Sequence, residues 1–209
     1  MFKEYWDKKL INDYGKKDWA YKPSIFAKQA IKFFPEFGSL LDIGTGMGND
    51  AQFFQSQGYE VTATDQSDVA INDDKRRIRN VNFLVSDTAH GLPFGDKTFD
   101  IVYSHMALHY FDTQTTEKVF NEIHRVLKDG GIIAIITNTI DDPENKDPGY
   151  TKLETEYYQD PKSIVKRYFS VDSMKKFTCD LFTSVILDNK GETYKDKIKT
   201  LVRFVGRKK

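Results

Sequence analysis

A chain of 209 residues with 39% hydrophobic content is long enough for one domain with a sizeable core and too short for a second full domain. Its charge is balanced, 31 Lys+Arg against 31 Asp+Glu, which removes any global drive towards nucleic acid, and its one cysteine, Cys179, excludes an internal disulfide or a Cys-rich metal site. No apolar run approaches the ~18 residues of a membrane span and the opening MFKEYWDKKL lacks a signal-peptide core, so a cytoplasmic location with no membrane partner is expected.

The N-terminal segment, rich in Tyr, Trp and Lys, reads as a helix and loop, and Ser24–Phe34 as a helix ending at Pro35. From 39 to 138, short apolar runs alternate with amphipathic stretches. Strands are predicted at Leu40–Ile43, Val61–Asp65, Val81–Ser86, Phe99–Ser104 and Gly131–Thr137, several of them apolar throughout, as strands covered on both faces must be. Helices are predicted at Asn49–Gln57 and Thr116–Leu127; in the second, Val119, Phe120, Ile123, Val126 and Leu127 form one stripe, and Gly130-Gly131 supplies the stop. This is a βαβα rhythm and implies a parallel sheet. Residues 141–170, polar and carrying Pro143, Pro148, Pro161, Tyr150, Tyr157 and Tyr158, read as a long loop. Two further strands, Thr183–Asp188 and Leu201–Val205, are joined through a turn-like Asn189-Lys-Gly191. The basic stretch Lys195–Lys209 alternates apolar and polar residues and reads as a half-buried strand with a solvated cationic face, and Cys179 as a small core residue. One domain, 1–209, is expected: a helical or lid segment at 1–37, a ligand-binding core at 38–138, an acceptor-side loop or insertion at 141–170, and a helix with a β-hairpin at 171–209.

The segment SLLDIGTGMG, residues 39–48, runs a strand into three glycines on alternate positions and then into a helix. Bare backbone is thereby brought to the carboxyl edge of the sheet, where open α/β folds bind ligands. Asp65 ends the next strand at the distance where a carboxylate accepts both ribose hydroxyls, which indicates an adenosine-type ligand; as an alternative it caps the following helix. Gly48 comes one residue too early for a dinucleotide's G-x-G-x-x-G, and Asp42 before the turn is awkward beside a pyrophosphate but suits an ammonium group. S-adenosylmethionine, with an amino acid moiety and no phosphate, fits both facts. Asp87 ends the third strand, where its carboxylate can accept the adenine amine while the Thr88 N–H meets a ring nitrogen; otherwise it is a turn residue.

The segments LLDIGTGMG, VTATD, FLVSDTAHGLPFGDKTFDIVYSHMALHYF and EIHRVLKDGGIIAII together resemble the class I S-adenosylmethionine-dependent methyltransferases, in that family's order and spacing over roughly residues 38 to 138. The core is similar to the ubiquinone and menaquinone biosynthesis type, and the outer segments more weakly to tellurite-resistance-type methyltransferases. The resemblance implies a Rossmann-like, doubly wound seven-stranded sheet with one antiparallel strand. It places Asp42, Gly44 and Gly46 at the methionine end of the cofactor with Ser104 beside it, Asp65 at the ribose, and Asp87 with Thr88 at the adenine, and it adds Thr45 and Gln66 to the cofactor-binding residues.

Methyl transfer from a sulfonium needs alignment and exclusion of water, and no protein nucleophile. Where the acceptor must lose a proton, His105 and His109, just after the fourth strand, are the candidate bases; as an alternative they only hold the turn. His124 reads as structural. Trp6, Trp19 and the loop tyrosines can form an aromatic lid over a sulfonium or simply pack. A small-molecule acceptor is expected, with no nucleic acid partner and no metal. A non-catalytic S-adenosylmethionine-binding protein and an NAD(P)-dependent oxidoreductase are the competing readings.

Overall fold

The computed structural model describes residues 3–14, 16–17, 21–192 and 200–209. Trp19 and the basic residues Lys195, Lys197 and Lys199 lie outside the described residues. Helix α1 (Lys3–Lys9) continues as a π-helical turn, Leu10–Tyr14; α2 (Ile25–Ala30) starts at Ser24, whose hydroxyl accepts the Ala27 N–H, and tightens into a 3-10 turn before Pro35. Then β1 (Ser39–Ile43), α3 (Asn49–Ser56), β2 (Glu60–Asp65), α4 (Asp68–Arg77), β3 (Asn82–Val85), β4 (Phe99–His105), α5 (Thr113–Val126) and β5 (Leu127–Thr137) follow in order. After them come β6 (Thr151–Glu154), β7 (Tyr157–Gln159), β8 (Val165–Arg167), α6 (Val171–Thr178), β9 (Phe182–Gly191) and β10 (Leu201–Lys208).

The seven-stranded sheet has the order β3-β2-β1-β4-β5-β10-β9. β1 to β5 are parallel, and β10 runs antiparallel to both β5 and β9, as the expected fold requires. Strand order reverses between β1 and β4, which opens a crevice at their carboxyl ends. Side chains alternate between two cores. Leu40, Ile101, Tyr103 and Ala134 pack under α2 and α3 with Phe26 and Phe54, while Leu41, Val102, Ile133 and Ile135 pack under α5 and α6 with Val119, Ile123 and Met174.

Several expectations need correction. Gly130-Gly131 does not stop α5; Leu127 already turns extended, and the glycines lie inside β5, where pairing with β4 slips between Phe99–Leu127 and Ile101–Ile132. Gly130 has φ 71°, and a Cβ on Gly131 would stand 2.8 Å from the Lys128 carbonyl, so this is a bulge that only small residues fit. Asn189-Lys-Gly191 is no turn but the end of β9, paired through Gly191 with Leu201. Residues 141–170 are not one loop: a 3-10 turn (Pro143–Lys146) precedes β6, β7 and β8, a separate antiparallel sheet joined to the main body by the Thr139–Phe169 bridge. β10 is no half-solvated strand. It is flanked on both sides and mostly buried, and its cations are tied down: Arg203 to Asp188 and Gln29, Arg207 to the Gly130 carbonyl, Lys208 to the Leu127 carbonyl. Cys179 is exposed at the end of α6, because the buried positions of that helix go to Met174 and Thr178.

Candidate functional site

The glycine turn leaves β1 with Gly44, Gly46 and Gly48 at φ 73°, 60° and 68°, a region in which a side chain is strained. Contact is the second reason for glycine at 44, where a Cβ would overlap Ala107 at 2.1 Å. Four N–H groups of the turn are already committed inside the protein. Gly44 and Thr45 donate to the Thr64 carbonyl at 2.8 and 2.9 Å, Gly46 to Asp65 Oδ2 at 3.0 Å, and Gly48 to the Thr45 carbonyl at 3.0 Å. A turn with these N–H groups spent in this way, and edged by carboxylates, is a poor cradle for pyrophosphate.

Asp42 is 2% exposed; its Oδ2 has no hydrogen bond of good geometry among the described residues, and the nearby Thr45 hydroxyl, which pulls its pKa down, is the one side-chain donor beside it. Burial, reinforced by nearby Asp50, pushes the Asp42 carboxyl well above the ordinary carboxylate range. A buried carboxyl of this kind fits the ammonium of an amino acid moiety. Beneath it, Asp50 accepts from the Ser24 N–H (2.6 Å), the Ser24 hydroxyl (2.7 Å) and the Tyr103 hydroxyl (2.7 Å). Sequence reasoning missed this support. Its one local signal is Ser24 as a helix cap, since residues 26 and 79 positions apart carry no mutual signature.

Asp65 ends β2 as expected and takes N–H groups from Gly46 and, at 2.9 Å, from Ser67; burial nevertheless raises its pKa. Asp87 is more exposed than expected of a ligand clamp. It accepts the Ala89 N–H at 3.0 Å, begins the 3-10 turn Thr88–His90 and lies 3.1 Å from His90 Nδ1. Ser104 is fully buried and donates to the Ile43 carbonyl at 2.8 Å, tying β4 to the last residue of β1.

His105 is the last residue of β4, not the first after it, and Met106 follows at φ 57°. Burial lowers His105, with Asp50 opposing; burial, then Lys166 and His105, push His109 down to about 3. His109 is 1% exposed, and among the described residues no group bonds its Nδ1. The small sheet lies over this edge: the Arg167 N–H donates to the His109 carbonyl at 2.7 Å, and Lys166 pairs with Glu144 at 3.1 Å. Tyr157 packs on Arg167 and Tyr158 edge-on to Tyr168, so these rings pack within and around the sheet. His124 is structural, edge-on to Phe182. From the other side α1 covers the turn, with Leu10 and Trp6 on Met47 and Ala70, and Trp6 meets Tyr110 edge-on at 5.3 Å.

The strand order, the glycine turn and the acids ending β1 and β2 define a class I methyltransferase-type domain. Residues 41–135 match the family model described as "Methyltransferase domain". An uncharacterized methyltransferase of Synechocystis is 32% identical over 97 residues, 46% of this chain and 45% of that protein. A malonyl-[acyl-carrier protein] O-methyltransferase of Enterobacter lignolyticus is 29% identical over 105 residues, 50% of this chain and 41% of that protein. The chain thus spans about half or less of the length of these curated relatives. Among solved structures, the PH0226 protein from Pyrococcus horikoshii OT3 shares the fold with a TM-score of 0.77 and 21% identity, each chain covered in full. The 1,6-didemethyltoxoflavin-N1-methyltransferase of Burkholderia thailandensis, determined with S-adenosylhomocysteine, shares it at 0.69 and 20%, over 97% of this chain and 86% of that one. Residues 41–135 are thus similar to methyltransferase domains, and the fold is the one shared by solved S-adenosylmethionine-dependent methyltransferases.

Proposed function

We propose that the protein transfers a methyl group from S-adenosylmethionine to a small-molecule acceptor by in-line displacement. The observation that carries this reading is Asp42: a buried carboxyl whose Oδ2 lacks a well-formed hydrogen bond, beside a glycine turn with four of its N–H groups spent, fits an ammonium-bearing cofactor better than a dinucleotide. When bound, the cofactor supplies a methyl group activated by a sulfonium. In this reading Asp42, Gly44, Thr45 and Gly46 hold its methionine end above Ser104, Asp65 and Gln66 its ribose, and Asp87 with Thr88 its adenine. α1 and the small sheet flank the crevice and keep water from it. His109, at about 3, is too weak a base to keep a proton at neutral pH, so its part is to accept a hydrogen bond from the acceptor and fix its angle. His105, also lowered by burial with Asp50 opposing, is the second candidate proton acceptor. Among the described residues no helix is long and apolar enough to cross a membrane. The small-molecule class draws support from the Burkholderia neighbour, whose structure holds 1,6-didemethyltoxoflavin.

The test is calorimetry with S-adenosylmethionine, S-adenosylhomocysteine and NAD, followed by mass spectrometry of labelled methyl transferred into a metabolite extract. Binding of the first two and a labelled metabolite are expected. Binding of NAD alone would reject the reading, and cofactor binding with no labelled product would make the protein a cofactor sensor.

A further inference from the structure

Asp74 lies on the inner face of α4 against the glycine turn and is 1% exposed. Its Oδ1 is paired with Arg77, which also donates to the Met47 carbonyl at 2.7 Å and to Asp73 Oδ2 at 2.8 Å. Its Oδ2 meets no donor among the described residues and presses on Gly48, where a Cβ would stand 3.1 Å from it. Asn49 Oδ1, on a residue 8% exposed, also finds no donor among the described residues, and Asp42 Oδ2 lacks a well-formed hydrogen bond. This flank of the turn therefore presents bare acceptors.

The titratable groups around Asp74 are mostly acids. Asp42 comes from β1, Asp65 from β2, and Asp73 with Arg77 from α4 itself, while Asp50 of α3 stands near Asp42 and Asp7 of α1 near Asp65. A single guanidinium divided between two carboxylates and a carbonyl cannot neutralise that set. Nor do the acids converge as metal ligands among the described residues. Burial, against the pull of Arg77, raises Asp74 to about 8, so a proton resides on it in neutral solution.

We propose that Asp74 is a proton-holding positioning residue of the cofactor turn, which gives up its proton to solvent when a cationic cofactor settles on the turn. The inference rests on the S-adenosylmethionine reading above. In the step, the O–H bond of Asp74 breaks, the proton passes to buffer, and the carboxylate stays paired with Arg77; no bond to the cofactor is made. Because the demethylated product has lost the sulfonium charge, Asp74 takes a proton back after transfer, and the turn that favoured the cation ceases to favour the ligand it holds.

Titration calorimetry at pH 7 in two buffers of different ionisation heat counts the protons. Wild-type protein should release roughly half to one proton per S-adenosylmethionine and clearly less per S-adenosylhomocysteine. Asp74→Asn, which mimics the protonated carboxyl, should bind S-adenosylmethionine about two- to ten-fold more weakly than wild type at pH 7 and release less than half as many protons. Equal release from variant and wild type, or none from wild type, overturns the proposal. Should the variant lack a cooperative thermal transition, the wild-type comparison decides, and equal release with both ligands overturns it. If neither ligand binds, the functional reading falls and this inference with it; binding without release linked to Asp74 removes this inference alone.

Discussion

The hydroxyl of Ser67 donates to Asp7 Oδ1 at 2.5 Å while accepting the Ala70 N–H at 3.1 Å, so one side chain both caps α4 and fastens α1 across the cofactor turn. The Ser67 N–H also donates to Asp65 at 2.9 Å, which extends the chain of contacts to the carboxylate proposed to hold the ribose. Ser67→Ala should cost about 1 kcal/mol of stability through the lost cap. It should also speed hydrogen exchange in α1, and S-adenosylhomocysteine should slow that exchange in wild type. Exchange in α1 that is indifferent to both the substitution and the ligand would show that this helix is ordinary surface packing.

Asp65→Ala removes a carboxylate that holds Gly46 and Ser67 and is assigned to the ribose. Affinity for S-adenosylmethionine should fall by about 1.5–3 kcal/mol, read by calorimetry. A folded variant with an unchanged dissociation constant would move the ribose elsewhere.

Beneath the site, Asp50→Ala strands three donors, the Ser24 N–H, the Ser24 hydroxyl and the Tyr103 hydroxyl. The expected loss is about 2–4 kcal/mol in urea unfolding. Tyr103→Phe removes one partner and should cost only about 1 kcal/mol. Equal losses from the two variants would mean that the two Ser24 bonds to Asp50 add nothing beyond the Tyr103 bond.

Away from the site, Arg125 bonds both oxygens of Glu122, which also accepts the Leu92 N–H, and these bonds hold Glu122 down at about 2 against an ordinary 4.5. A carboxylate lowered on folding stabilises the native state above its unfolded pKa and loses that contribution as pH falls through the folded value. Wild type should therefore lose roughly 1–2 kcal/mol through this group between about pH 4.5 and 2, allowing for its partial exposure. Glu122→Gln should flatten that limb, measured as urea midpoints at pH 7, 4 and 3. A parallel decline in both proteins would assign the acid sensitivity to other carboxylates.

β1, β4 and β5 were legible because each is an apolar run buried on both faces, and β2 and β3 because β-branched and aromatic residues there run into an acid within a regular strand-helix rhythm. Helix α4 was not. Seven of its ten residues are charged or amide side chains, and one of the three it buries is Asp74, so no apolar stripe marks its inner face. β6, β7 and β8 are three or four residues long and mostly half-exposed, too short for alternation to show. Gly130-Gly131 carries the same letters as a helix stop and serves as a strand bulge, a choice made by tertiary pairing with β4. Within the site, the glycine turn and Asp65 were visible as local motifs. The Asp50 network and the Asp74–Arg77 pair on Met47 were not, since contacts between distant segments leave no periodic trace.

The position of β10 between β5 and β9 also bears on how the molecule is made. β9 has no other neighbour in the sheet, and it precedes in synthesis the strand on which it must pair. A nascent chain that has not yet delivered residues 201–208 to the folding compartment carries an open edge on β5 and a homeless β9, the kind of unpaired edge that recruits other chains. The nucleotide-site half can assemble from neighbouring segments while translation proceeds, but sealing of the sheet is a late and non-local event. Ribosome stalling or early termination within those last residues should therefore yield an aggregation-prone species, even though every side chain assigned to the cofactor has already been translated.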